Sequence, residues 1–363
     1  MVFPISLESD NLEEVVIIGG GVAGLSCLNA LLDQGISALL IEGAAIGAPK
    51  MCGEFLAPIA AQQLQFWDID PLIPIPHAAF YAGTRQLDIH FRKPSAAISR
   101  SDVERKLAAR ARSLGGRIRE NTYLEYTTAA TESTPFYFKL STGEIIEAKS
   151  AFFATGKLSH NQENNKIALP YFGFKLHFTH AENDHSLKMF SLDKAYLGIV
   201  PITETLSNCA CLAKREAVDA ATSPEEYFRH LTQSHPVLKK TFTPLDFSTI
   251  DILSGRAPAF TQKNPPNWPN SYWIGDTLAS LYPAIGSGFA HSIDSAIQAV
   301  QSYLKQQPKL YRINYSKSIK TKVCLGSVFN AVLLQPKVGE LALPLLKRSP
   351  KLVNFVLKKL DYV

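Results

Sequence analysis

At 363 residues, with 46% hydrophobic and 19% charged side chains, the chain is long enough for two domains and has the composition of an ordinary globular protein, which excludes disordered and fibrous classes. Its formal charge of +5 is unevenly placed: residues 309–363 hold eleven Lys and Arg against Glu340 and Asp361, so the remainder is net acidic. No apolar run reaches the roughly 18 residues of a membrane span. The first ten residues lack the basic start and apolar core of a leader, and Cys27, Cys52, Cys209, Cys211 and Cys324 show neither disulfide nor zinc spacing, so a cytoplasmic protein without a structural metal is expected.

The first element is a β-branched strand, Val15 to Ile18, of the kind buried in parallel sheets. Gly19, Gly21 and Gly24 follow in GxGxxG spacing, then a helix from about Val22, a second strand, and Glu42 at that strand's end. The glycines suit a sharp turn, a close approach of backbone to a pyrophosphate, and tight helix packing. The helix start at Val22 and Ala23 offers unpaired N–H groups to the phosphates, and Glu42 can accept ribose hydroxyls. Gly43 to Pro58 is a loop at the carboxyl edge of the sheet, where ligands bind, and it carries Cys52, Gly53 and Glu54.

A helix is expected from Ile59 to Phe66, and a hairpin from Phe80 to Phe91 turning at Gly83 and Thr84. A further helix, capped by Ser101 or Asp102, runs to about Leu114 and stops at Gly115 and Gly116. Arg117 to Tyr126, Phe136 to Leu140 and Glu144 to Lys149 read as a meander, and Ala151 to Ala154 as a strand returning to the main sheet. From Tyr171 to Leu212 longer alternating strands predict an antiparallel sheet with one covered face. Ser223, Pro224, Glu225 and Glu226 open a helix to about Gln233. The strand Ser271 to Ile274 leads to Gly275 and Asp276, and Gly286, Ser287 and Gly288 precede a helix from about Phe289 to Tyr303. The remainder reads as basic helices broken at Pro308, Pro336, Pro344 and Pro350.

Taken together, the two glycine stretches indicate FAD rather than NAD. Asp276 suits the ribitol hydroxyls, and the Gly286 to Gly288 helix start can aim N–H groups at the flavin ring edge.

These residues carry a resemblance. GGGVAGLS at Gly19 to Ser26, CGEFLAP at Cys52 to Pro58, SRSDVERKL at Ser99 to Leu107, AYLGIVP at Ala195 to Pro201 and the stretch from Gly275 to Ala296 resemble flavoproteins of the para-hydroxybenzoate hydroxylase fold, most closely the geranylgeranyl reductase family. The resemblance covers the chain to about residue 300. It implies an α/β fold: a Rossmann-like FAD-binding domain of the glutathione-reductase type, an inserted antiparallel-sheet substrate domain and a helical C-terminus. The expected divisions are residues 1–75, 95–165 and 250–306 for FAD, 76–94 and 166–249 for substrate, and 307–363 for the basic tail. It further implies that Gly19, Gly21 and Gly24 hold the pyrophosphate, Glu42 the adenosine ribose, Arg100 a phosphate or the ribose, and Asp276 the ribitol.

Three departures bear on chemistry. Ala154, Thr155, Gly156 and Lys157 stand where hydroxylases of this fold carry an Asp-Gly pair. No tryptophan pair of the flavin-halogenase kind precedes an Ile-Pro. Gly198 replaces a tryptophan common near Tyr196 in the reductases.

The expected activity is an FAD-dependent oxidation or reduction of a hydrophobic substrate by hydride transfer at flavin N5. Its rivals are a flavin monooxygenase and a non-catalytic dinucleotide-fold binding protein. Cys52 could contact the flavin or give up a proton, or be a small buried hydrophobe; Glu54 could be an acid or base, or cap the helix at Pro58; Tyr196 could line the pocket, or be core. His177, His180 and His185 are too irregularly spaced for a metal site, and His291 could face flavin or solvent. The electron donor would be NAD(P)H or a ferredoxin. Nucleic-acid binding lacks the interleaved aromatics it needs, and no GxSxG elbow supports hydrolysis. The leucine- and lysine-rich C-terminus either packs on the FAD domain, the favoured reading, or settles on anionic lipid as a peripheral contact.

Overall fold

The computed structural model describes residues 12–131, 133–157, 168–180, 184–360 and 362. The N-terminal ten residues read above for a leader, and the division expected at 165/166, lie outside the described residues.

In chain order the first strand, β1 (Leu12–Ile18), enters α1 (Val22–Leu32) through the glycine turn and is followed by β2 (Leu39–Ile41). After the long loop come β3 (Phe55–Leu56), α2 (Pro58–Phe66), the hairpin β4 (Ile73–Ala82) and β5 (Arg85–Ala97), and α3 (Arg100–Ser113). The next strands are β6 (Arg117–Arg119), β7 (Leu124–Thr128), β8 (Phe136–Leu140), β9 (Ile145–Phe153), β10 (Tyr171–Thr179), β11 (Ser186–Leu192), β12 (Ala195–Pro201) and β13 (Leu206–Lys214). Helices α4 (Arg215–Asp219), α5 (Pro224–Gln233) and α6 (Pro236–Phe242) lead to β14 (Leu253–Ala257) and β15 (Ser271–Trp273). The chain finishes with α7 (Gly288–Leu304), α8 (Pro308–Leu333), α9 (Pro336–Lys347) and α10 (Pro350–Lys359).

The first sheet has the order β6-β2-β1-β9-β8-β7, with β15 also on β9. The strands from β6 to β9, and β15 with β9, are parallel, as the apolar runs of β1 and β9 require when both faces are covered. The expected single strand from Arg117 to Tyr126 is two: β6 joins the parallel edge at β2, and β7 starts the meander. Conversely, the two strands expected at Glu144 to Lys149 and Ala151 to Ala154 are one. The first half of β9 pairs with β8 and its last three residues with β15. α1 and α7 pack together against this sheet, with α3 beside α1.

The second sheet runs β14-β10-β13-β12-β11-β4-β5-β3, antiparallel except for β11 with β4. It extends past residue 249 through β14, which pairs with β10. Its faces are both covered rather than one. Phe174, Phe178, Phe190 and Leu197 pack on Phe228 and Phe242 of α5 and α6. Met189, Tyr196 and Leu212, at the alternate positions, meet Phe260 and Leu333 on the other side. Ser223 caps α5 by accepting from the Glu226 amide at 3.1 Å, as its sequence predicts. The helix at Arg100 starts one residue before the expected caps and has no side-chain cap at Ser99. Pro308, Pro336 and Pro350 each begin a helix, but Pro344 lies inside α9 without ending it.

Candidate functional site

Gly19 takes φ +107°, and a Cβ there would lie 2.4 Å from the Ala154 carbonyl oxygen at the end of β9. Gly24 is tighter still, since a Cβ would stand 1.8 Å from the Gly19 oxygen, so α1 is pressed onto its own entry turn. No side chain caps α1, and Gly21, Val22 and Ala23 line a cavity, which leaves the first amides of the helix facing it. The Glu42 carboxylate accepts from the Gly20 amide and, at 3.2 Å, from the Ala44 amide. It braces the turn from outside the cavity lining.

Arg100, the first residue of α3, reaches the cavity beside Gly21. Its Nε donates to Glu104 Oε1 at 2.8 Å, and Lys50 Nζ donates to the other oxygen of that buried carboxylate at 3.1 Å. On the opposite wall Gly275, at φ +59°, lets the turn carrying Asp276 sit against α1; a Cβ would meet that of Ala23 at 2.8 Å. His291 is fully buried beneath this turn, with Nε2 3.0 Å from the Gly275 oxygen and Nδ1 3.0 Å from the Tyr315 hydroxyl. Burial pushes its imidazole below the usual value, so it is a neutral structural group and faces neither cavity nor solvent. Gly286 and Gly288 line the cavity at the uncapped start of α7.

The loop between the two halves is tied down at Glu54. This fully buried carboxylate, on a residue with φ +57°, accepts from the Arg100 amide at 2.8 Å and from Lys175 Nζ at 2.5 Å through one oxygen. His177 Nε2 lies 2.6 Å from the other. Burial alone would raise the carboxyl, but the bond from His177 and the charge of Lys175 hold it below the ordinary range. Glu54 does not cap α2, whose N-cap Ala57 has no side-chain bond. Cys52 Sγ accepts the Glu54 amide at 3.4 Å, and burial pushes its thiol up although Arg100 pulls the other way. Asn208 on β13 donates to the Cys52 carbonyl at 3.3 Å, a second tie from the loop to the second sheet.

One cavity of about 550 Å³ joins these pieces. Gly21, Arg100 and Asp276, the loop residues Cys52, Gly53 and Glu54, and an apolar set of Phe80, Phe91, Met189, Tyr196, Phe260 and Leu333 all line it, with Gly286 brought near Phe91 through Tyr362. The Tyr196 hydroxyl is buried there near the Ala284 backbone amide but without a partner at full hydrogen-bond geometry; among the described residues it is the cavity-lining side chain so placed. Burial pushes its phenol well above its usual value.

Lys175, His177 and Tyr362 were not singled out from sequence as site residues. Lys175 and His177 stand two apart on β10, opposite in face to Phe174 and Phe178, which was a signal for a shared polar face. Tyr362 had no such signal. It lies beyond α10, donates to the Ile285 oxygen at 2.9 Å, and stacks on Phe91 with centroids 5.3 Å apart, directly against Gly286. His177, His180 and His185 do not converge, and no cluster of metal ligands occurs among the described residues.

No protein-family model and no curated protein sequence matches the chain. Solved structures do. The flavin-dependent brominase Bmp2 superposes with a TM-score of 0.79 at 18% identity, over 97% of this chain and 94% of its own. A geranylgeranyl bacteriochlorophyll reductase-like protein from Thermoplasma acidophilum gives 0.72 at 20% identity, over 90% and 88%. PqsL from Pseudomonas aeruginosa, a probable FAD-dependent monooxygenase, gives 0.74 at 13% identity, over 90% and 98%. The chain therefore has the fold shared by these three proteins, in agreement with the fold class that the resemblance implies.

Proposed function

We propose that the chain is an FAD-dependent oxidoreductase that acts on a hydrophobic substrate by hydride transfer at flavin N5. One observation carries the reading: a single cavity is lined by the uncapped start of α1, by Arg100 and Asp276, and by an apolar set that includes one buried hydroxyl without a full hydrogen bond. The residues fit the cofactor. Gly21, Val22 and Ala23 offer amides to a pyrophosphate with Arg100 beside them, Asp276 offers a carboxylate to the ribitol hydroxyls, and the uncapped start of α7 at Gly286 and Gly288 offers N–H groups to the ring edge. Glu42 is occupied with Gly20 and Ala44, so any bond to the adenosine ribose uses its remaining acceptor capacity.

Bound FAD supplies the hydride chemistry. The chain's own residues position the reactants, exclude water and handle a proton. Phe80, Phe91, Met189 and Leu333 accept an apolar body, and Tyr196 Oη orients a single polar group on it by hydrogen bonding. Glu54, held by three partners, is a positioning residue rather than a free acid or base; it fixes Cys52 and Gly53 on the cavity wall. Cys52 remains a neutral thiol there. Reducing equivalents come from NAD(P)H or a ferredoxin.

The monooxygenase alternative draws on the fold shared with PqsL, while the missing Asp-Gly pair at Thr155 and Gly156 counts against a hydroxylase-type use of NADPH. Purified protein carries a yellow flavin chromophore on this proposal, and a colourless preparation that takes up no FAD overturns it. Anaerobic titration with NADH, NADPH and reduced ferredoxin identifies the donor. Incorporation of labelled oxygen into product replaces the reductase reading by the monooxygenase one.

A further inference from the structure

Helices α9 and α10 present two different faces. Inward, Ala342, Leu343, Leu346, Val353, Val356 and Leu357 line the cavity. Outward, Val338, Leu341, Leu345, Leu352 and Phe355 are 42 to 74% exposed, and none of them lines it. Large exposed apolar side chains on a soluble protein are ordinarily scattered singly; here five gather within two short helices.

The charges among them have one sign. Lys337, Lys347, Arg348, Lys351, Lys358 and Lys359 are exposed, and no salt bridge engages them among the described residues. The acid on α9, Glu340, turns away to accept from the Thr84 amide at 3.2 Å and its hydroxyl at 2.9 Å. No residue of α10 is fully buried, although Val356 and Leu357 on its inner face pack partly buried against the core.

We propose that this face docks on an anionic lipid bilayer, with α9 and α10 lying in the interface and Leu341, Leu345, Leu352 and Phe355 inserted among the acyl chains. Apolar side chains interleaved with cations match a surface that offers both hydrocarbon and negative charge. A second copy of the same face would set cation against cation, which disfavours self-association. No helix is long and apolar enough to cross a membrane among the described residues, so the contact is with one leaflet. The inner faces of the same two helices wall the cavity, which places a bilayer-dissolved substrate one helix thickness from it; only that last step rests on the function proposed above.

The full chain is tested by flotation with vesicles of phosphatidylcholine, with and without phosphatidylglycerol. Binding is expected only with phosphatidylglycerol and falls with added salt. The Leu345→Glu/Phe355→Glu variant loses about tenfold or more of the bound fraction, and Lys351→Glu/Lys358→Glu loses the preference for anionic lipid. Flavin content and the thermal midpoint are read on every variant, so misfolding is seen separately. Absence of wild-type binding to both vesicles, or equal binding by all three proteins, overturns the proposal. Unchanged flavin content in that event leaves the oxidoreductase reading standing, whereas vesicle binding by a colourless protein separates the two the other way.

Discussion

Glu54 is the residue on which the loop at the cavity wall depends. It takes an amide from α3 and two side chains from β10, so removing its charge leaves Lys175 buried without its counter-ion. Glu54→Gln is expected to cost about 3 kcal/mol or more, read from urea denaturation. The sign with pH follows from the lowered carboxyl. Its contribution is fully present above the unfolded value of about 4.3 and is lost as pH falls through the lower folded value. The wild-type advantage over Glu54→Gln therefore shrinks only at acid pH; an advantage constant from pH 7 to pH 3 would contradict the ion cluster. His291 acts in the same direction at higher pH. Its lowered value means that stability declines as pH drops below about 6.5, because the unfolded imidazole gains a proton that the buried one resists. A His291→Gln variant should show a flatter stability curve between pH 7 and pH 5.

At the scale of elements, the entry to α1 and the exit from α10 are held in opposite ways. The α1 turn is held by backbone packing: Gly24→Ala would drive a methyl into the Gly19 carbonyl, with an expected cost of about 2 kcal/mol or more and loss of flavin from the purified protein. α10 is held at its far end, where Leu360 is buried, its carbonyl accepts from Ser287 Oγ at 3.5 Å, and Tyr362 stacks beside Gly286. Tyr362→Ala removes that ring and its bond to Ile285. Hydrogen exchange across 350–360 should then rise about tenfold with little change in β1 or β9. A uniform rise throughout the chain would instead mean that α10 is part of the global core.

For the molecule as a whole, the cofactor reading predicts that binding is spread over elements some 250 residues apart in sequence, from Gly21 to Asp276. Asp276→Ala should weaken FAD binding about tenfold or more through loss of charge-assisted hydrogen bonds, measured by flavin fluorescence, while leaving the thermal midpoint of the flavin-free protein nearly unchanged. An unaltered affinity would remove Asp276 from the site. The strand, glycine turn and helix at residues 15 to 32 were legible in the sequence, as were the hairpin turn at Gly83 and the Ser223 cap. Each depends on sterics or hydrogen bonds within a few residues, so local chemistry determined it. The motif pattern also pointed to the fold, because glycines at 19, 21 and 24 serve a geometry that few other arrangements need. What only the tertiary structure decided were partnerships between distant segments. Lys175 and His177 share the polar positions of an alternating strand, and only the fold brings Glu54, more than 120 residues earlier, against them. The tail read as either packed or lipid-facing, and the fold gives α9 and α10 one face toward the cavity and another outward. An alternating strand or an amphipathic helix specifies that it has two faces; what each face meets is set by the packing of the entire chain.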